Sequence, residues 1–165
     1  MLGDLIAEGD RGQWTDKRFR RELSAWVHPN HSNHRDGMRG YSFGFGEFMS
    51  YAGPVAMRLF DLGKPTAAAD RQLALRSPVL AVLGTEADTA ADWLSAGQAL
   101  ARVLLRAAAE GIGASFLNQP IEVAELRPRV RDLTGRRGFP QLLFRMGYGP
   151  DVKPTPLQPI SDILI

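Results

Sequence analysis

Two short, mostly apolar runs constrain the fold of this 165-residue chain more than any other feature. One is bounded by Pro78 and Gly84, and the other covers residues 141–147. Apolar runs of this length, without polar alternation, are typical of strands that are buried in a sheet. Residues 114–117 give a third, shorter strand candidate. Because helical patterns separate the three strands, the sequence predicts an α+β or α/β architecture.

The strongest helical pattern covers residues 88–110, where apolar side chains recur at helical spacing. We expect Gly111 to end this helix as a left-handed C-terminal cap. Gly97 and several alanines allow a close neighbour, so this helix is the candidate interface. Shorter helices are predicted at 2–9, 15–27 and 122–134. Thr15 or Asp16 can cap the second of these, because both side chains accept hydrogen bonds from backbone N–H groups.

Residues 28–66 form the least regular part of the sequence, with six glycines and six of the fourteen aromatic side chains. We expect a lid or flap here, with a short helix near 47–52. Tyr41, Phe43 and Phe45 alternate with Ser and Gly. This alternation fits either stacking on a planar ligand or packing in a core or interface, and packing is the simpler interpretation.

The chain ends in a proline-rich tail, with four prolines between residues 148 and 160. Proline fixes φ and disfavours helix at the preceding residue, so we expect residues 148–165 to be extended. The length of the chain suits one domain, which we place over residues 1–165.

Composition excludes several classes of function. There is no cysteine, so disulfides, thiolate metal sites and a cysteine nucleophile are excluded. The net charge is only +2, and the basic cluster at 17–21 is most simply a solvated helix face, so no nucleic acid is expected as a partner. No apolar stretch reaches membrane-spanning length, and residues 1–4 do not resemble the start of a signal peptide. We therefore expect a cytoplasmic protein.

Three histidines, His28, His31 and His34, follow one another at a spacing of three residues. Imidazole is a common ligand of zinc, copper and nickel, and this spacing would align the rings on a helix. Pro29 and the asparagines favour a loop instead, and Asp36 is the one suitably placed carboxylate. The simplest interpretation is a polar loop with solvated imidazoles, and we expect no metal site.

Three segments of the second half resemble the nitroreductase superfamily, most closely its Acg-type branch of FMN-binding NAD(P)H nitroreductases. They are DWLSAGQALARVLL at 92–105, GIGASFLNQPIE at 111–122 and QLLFRMGYG at 141–149, and the strand at 77–85 fits the position before the first of them. The resemblance is strongest over residues 73–164 and weaker over 1–62. Chains of the Acg type are similar to two fused half-dimers, and this sequence resembles the C-terminal half only.

The resemblance implies an α+β fold with a mostly antiparallel central sheet flanked by helices. It also implies an oxidoreductase that binds FMN at a dimer-like interface and passes a hydride from NAD(P)H to a nitroaromatic or quinone acceptor. The cofactor carries this chemistry, so no catalytic side chain is expected. A homodimer or a separate N-terminal half would complete the site. The alternative is a non-catalytic relative that sequesters flavin or serves subunit association.

The resemblance also assigns cofactor-binding residues. Those expected beside the flavin ring are Gly111, Gly113, Ser115, Asn118 and Gln119. The amides of the last two either hydrogen-bond the flavin edge or fill the space that it needs. Lys153 is the nearest cation for the FMN phosphate, because Leu157 and Gln158 stand where relatives commonly carry arginine. The same tail can instead act as an extended arm that embraces another subunit.

Overall fold

The computed structural model describes residues 1–150, 152–154 and 156–164. These residues fall into two compact units. The first unit comprises Met1–Gln13 and Gly63–Pro150, and the second comprises Trp14–Leu62 and the described part of the tail. The α-helices are α1 (Leu2–Thr15), α2 (Lys17–Trp26), α3 (Glu47–Leu59), α4 (Gly63–Arg76), α5 (Ala90–Ala109), α6 (Gln119–Glu122), α7 (Arg127–Thr134) and α8 (Ile160–Ile163). The strands are β1 (Val27–His28), β2 (Met38–Arg39), β3 (Val79–Thr85), β4 (Gly113–Phe116) and β5 (Phe139–Gly147), and a 3-10 helix spans Gly40–Phe43.

The first unit contains an antiparallel sheet in the order β3-β5-β4. The register pairs Val79 with Met146, and it shifts at a bulge between Leu83 and Gly84. All three strands predicted from the sequence are present, and the α+β fold with an antiparallel sheet is confirmed.

The core of the first unit joins α1 to the sheet. Ile6 packs with Leu117 and Leu143, and Leu5 packs with Val130. All five side chains are buried. Burying an aliphatic side chain of this size contributes about 1.5–3 kcal/mol, so these contacts fix α1 against the sheet.

Helix α5 forms as predicted but is buried very little. Thr89 and Asp92 form a capping box at its start, and Gly111 has φ +68°, the left-handed conformation expected after its end. Only Ala96 and Ala107 are buried among its 20 residues. The helix therefore leaves most of its side chains exposed.

The prediction of one continuous helix over 122–134 is wrong. The chain forms two short helices, α6 and α7, with a break between them. Proline lies in the first turn of each helix, at Pro120 and Pro128. Proline fits this position because no intrahelical hydrogen bond is lost there, so Pro128 begins a helix instead of interrupting one.

In the second unit, Asp16 caps α2 by accepting a hydrogen bond from the backbone N–H of Arg18 at 2.7 Å. Val27 and His28 then pair in parallel with Met38 and Arg39. The core of this unit consists of Trp14, Val27 and Met57, with Phe19, Leu23, Phe45 and Leu62 packed against them.

Residues 28–66 are more regular than expected, and the short helix expected near 47–52 forms as the first part of a longer one. A lid or flap in this stretch stays a prediction. Helix α3 has 13 residues and contains Pro54, and α4 begins at Gly63. Phe45 packs against α3, where a Cβ at Gly53 would lie 2.4 Å from the Phe45 ring. This contact agrees with the packing interpretation of the aromatic segment.

The tail is extended in part. The described residues between Gly149 and Pro159 form no helix or strand, whereas α8 adds a short helical turn after them. The predicted tail also includes Asp151, Thr155 and Ile165, which lie outside the described residues.

Candidate functional site

Five of the six predicted cofactor-binding residues lie along one stretch of the first unit. Gly111 follows α5, Gly113 and Ser115 are in β4, and Asn118 and Gln119 begin α6. Lys153 belongs to the second unit, where its ammonium group lies 5.0 Å from the centre of the Tyr41 ring. The hydroxyl of that tyrosine also donates to the carbonyl of Pro154 at 3.1 Å, so this part of the tail is held on the 3-10 helix.

Strand β4 lies at an edge of the sheet, and within the described residues it pairs only with β5. An edge strand presents a row of unpaired backbone N–H and C=O groups. A Cβ at Gly111 would meet no atom within 4 Å, and one at Gly113 would meet only the carbonyl of Gly147 at 3.6 Å. This end of the strand therefore offers open space and backbone hydrogen-bonding groups.

The amide of Asn118 is used within the fold. Its Oδ1 accepts a hydrogen bond from the backbone N–H of Leu143 at 2.8 Å. Leu143 is fully buried, so this N–H would otherwise lack a partner away from water. The asparagine therefore stabilises the junction between β5 and α6.

The amide of Gln119 connects two carboxylates. Its Nε2 donates to Asp10 Oδ1 at 3.0 Å and to Asp70 Oδ2 at 2.8 Å. The approach is close, because a Cβ on Gly9 would lie 2.7 Å from the Cβ of Gln119. Glycine at position 9 is therefore required for this contact.

The carboxyl of Asp10 is only 2% exposed. Burial raises its pKa from 3.8 to about 7, and the nearby charge of Asp70 adds to the rise. Burial also raises the pKa of Asp70, against the opposing effects of the Gln119 hydrogen bond and the charge of Arg145. Among the described residues, Asp10 Oδ2 and Gln119 Oε1 have no hydrogen-bond partner. This cluster was not predicted, since its members lie far apart in the chain and share no local spacing.

Some of these residues fit a flavin and others do not. The backbone of β4 and the open space at Gly111 and Gly113 fit a planar group that is held by main-chain hydrogen bonds. The side chains of Asn118 and Gln119 do not fit that role, because both amides already bind groups of the protein. A flavin at this edge would be met by backbone atoms.

A second polar network lies beside α7. Arg127 donates to both carboxylate oxygens of Asp88, at 2.7 and 2.8 Å, and Gln141 donates to Asp88 Oδ1 at 3.0 Å. The Arg127 hydrogen bonds hold the pKa of Asp88 well below its usual range. Asp88 also accepts from the Trp93 indole at 2.7 Å, so it fixes the loop before α5.

A cavity of the first unit is lined by arginines. It has a volume of about 280 Å³, and its lining includes Arg131, Arg136 and Arg137. It lies where Thr85 pairs with Phe139, whereas Gly113 pairs with Gly147 at the other end of β5. Eight residue steps of a strand span about 26 Å, so these cations are remote from the predicted flavin edge.

The structure brings two of the three histidines together. The rings of His28 and His34 are stacked, with centroids 4.4 Å apart. His31 instead lies 3.1 Å from a carboxylate oxygen of Glu47. The three residues therefore do not form a common face.

The chain matches known proteins over much of its length. The model of the nitroreductase family matches residues 51–148. The protein named "Putative NAD(P)H nitroreductase Rv3131" of Mycobacterium tuberculosis (strain ATCC 25618 / H37Rv) is 30% identical over 168 aligned positions, which cover 97% of this chain and 46% of that protein. "Uncharacterized protein Rv3127" of the same strain is 41% identical over 93 positions, or 54% of this chain and 27% of that protein.

The chain spans just under half the length of the first of these relatives. No solved structure gives a significant match. Among the described residues, no helix has both the length and the apolar character needed to cross a membrane. The family match covers more than half of the chain and includes the three-stranded sheet, α5 and both short helices. The chain belongs to the nitroreductase family.

Proposed function

We propose that this chain forms part of an FMN-dependent oxidoreductase that transfers a hydride from NAD(P)H to a nitroaromatic or quinone acceptor. Nitroreductases generally bind flavin, use NAD(P)H and are dimeric. The chain supplies one wall of the flavin site in this proposal. A second subunit, or a separate N-terminal half, supplies the rest.

The exposed apolar face of α5 carries the proposal. Leu94 and Leu105 are 67% and 72% exposed, and they lie on one side of the helix because eleven residues make almost exactly three turns. Gly97 and Ala101 lie between them on the same side and are also exposed. Two leucines flanking small residues suit close packing against another helix, and a continuous exposed apolar face of this kind is typical of an interaction surface.

The flavin, when bound, supplies the hydride chemistry. Backbone groups of β4 near Gly113 would hold the ring edge by hydrogen bonds, and the open space at Gly111 would admit the ring. Asn118 and Gln119 act indirectly, because they fix α6 to the sheet and to α1 through the contacts described above.

The native mass and visible spectrum of one purified sample test the proposal. We expect a yellow dimer that binds FMN and oxidises NAD(P)H when a quinone is supplied. Leu105→Glu places a charge in the proposed interface and should give a colourless monomer. Leu133→Glu is the matched control, since Leu133 is an exposed leucine on α7, 52% exposed, and this variant should remain a yellow dimer.

A colourless monomeric wild-type chain that gains colour only on addition of an N-terminal half supports the heterologous form of the site. The proposal is refuted if the wild-type chain binds no FMN, either alone or with an N-terminal half.

A non-catalytic role is the second candidate. It is favoured by the hydrogen bonds that already engage the Asn118 oxygen and the Gln119 nitrogen within the protein. A relative of this kind would bind FMN stoichiometrically without oxidising NAD(P)H. Turnover of NAD(P)H with a quinone at one equivalent of FMN excludes it.

A further inference from the structure

We propose that His28, His34 and Asp36 bind a divalent transition-metal ion, with zinc the best fit. Their ligand atoms, one from each side chain, all lie within 4.8 Å of one another. The proposal concerns the second unit alone and is independent of the flavin site.

The two distances from Asp36 agree with the ligand spacing of a tetrahedral ion. Asp36 Oδ1 lies 3.3 Å from His28 Nε2 and 3.7 Å from His34 Nδ1. Zinc binds nitrogen and oxygen ligands at about 2.0–2.2 Å, which places two tetrahedral ligands about 3.4 Å apart. His34 is 65% exposed, so its ring is free to turn toward a bound ion.

Two of the ligand atoms need a partner. His28 Nε2 and Asp36 Oδ1 are both buried, and neither has a hydrogen-bond partner in the described part of the chain, although they face each other. Buried polar atoms are nearly always satisfied, and an ion between two such atoms satisfies both. The imidazole of His34, once it turns out of its stack with His28, completes a set of two nitrogens and one oxygen, which suits zinc, cobalt or nickel.

The backbone holds the ligands in place without the ion. His28 is in β1 and Asp36 comes two residues before β2, so the pairing of the two strands closes the loop between them. Gly37 has φ +64°, and a Cβ there would lie 2.8 Å from His28 Nε2. The guanidinium of Arg39 donates to the carbonyl of His34 and fixes the end of the loop.

Three protein ligands leave one tetrahedral position for water. The site lies at the surface, because His34 and part of Asp36 are exposed. We therefore expect an exchangeable ion that ties the loop over residues 29–37 to β1. His31 takes no part, since its ring faces Glu47.

Titration of the untagged chain with Co²⁺, followed by visible absorption, tests the site. The wild type should bind one equivalent and give the spectrum of tetrahedral cobalt. His34→Ala and Asp36→Asn should each weaken binding at least about tenfold, since each removes one ligand. His31→Ala is the matched control and should bind as the wild type does, although it lies in the same loop.

A second readout is cleavage by trypsin after Arg35, which is exposed within the loop. Zinc should slow this cleavage in the wild type and in His31→Ala, and it should have no effect in Asp36→Asn. The proposal fails if the wild type binds no stoichiometric metal ion. It also fails if His31→Ala weakens binding as much as His34→Ala, or if Asp36→Asn binds as tightly as the wild type.

Discussion

Asp10→Asn should make the protein more stable at neutral and alkaline pH. The wild-type carboxyl has a pKa of about 7 in the folded chain and near 3.8 when unfolded. The folded state therefore holds a proton that the unfolded state releases between these values, and wild-type stability falls as the pH rises through this range. The rise from 3.8 to about 7 corresponds to about 4 kcal/mol of unfolding free energy. Asparagine has the same shape, still accepts the Gln119 hydrogen bond, and never ionises.

Urea unfolding of both proteins at pH 5, 6, 7 and 8 measures this effect. The stability difference in favour of Asp10→Asn should be about 1–2 kcal/mol at pH 5 and should grow to about 4 kcal/mol at pH 8. The reference is Asp132→Asn, which changes an exposed carboxyl with 69% side-chain exposure and should follow the wild-type pH profile.

Asp70→Asn separates the two causes of the shift. Removal of the neighbouring charge should lower the pKa of Asp10, so the pH dependence of stability should become shallower than in the wild type.

A wild-type chain that gains stability from pH 5 to pH 8 relative to Asp10→Asn would refute the reasoning, because the carboxyl would then be ionised without cost in the fold.

Three further substitutions test single contacts. Asn118→Ala should lower the unfolding free energy by about 1–3 kcal/mol in urea titration, because it leaves the buried N–H of Leu143 without a partner, and Asn118→Asp should restore most of the loss. Gly37→Ala should lower the melting temperature far more than Gly44→Ala: both have positive φ, but only at Gly37 would the Cβ meet a backbone oxygen, at 2.4 Å. Asp88→Asn should lower the melting temperature at pH 7, and the difference from the wild type should disappear as the pH falls below the ordinary range of a carboxyl, because the depressed pKa stabilises the fold only while the group is ionised.

The sheet and α5 could be predicted because their signals are local. The run after Pro78 became β3, and Gly111 has the positive φ expected of a helix stop. The sequence predicts only a short helix near 47–52 where α3 forms, because the glycines and prolines around it favour an irregular assignment for residues 28–66. The helix contacts that overrule this preference are tertiary, as at Gly53, where the helix lacks a side chain to accommodate the Phe45 ring.

The candidate sites also differ in how much of their geometry the sequence predicts. Family resemblance predicts the stretch from Gly111 to Gln119, but it does not show that two of the amides are bound within the protein. The contact of Asp10 with Gln119 joins residues that are 109 positions apart, and no spacing in the sequence indicates it. In the histidine loop, the sequence favours a polar loop with solvated imidazoles. The structure instead pairs two of them with Asp36, because strand pairing, and not helical periodicity, sets the geometry.

The exposed apolar face of α5 affects how the folding stability of this chain changes on dilution. A helix of 20 residues that buries only two alanines gains little free energy from its own unit. If a partner covers that face, mass action links association to folding, so the melting temperature rises with protein concentration. A melting temperature measured at one protein concentration would then depend on association with the partner as well as on the stability of the chain itself.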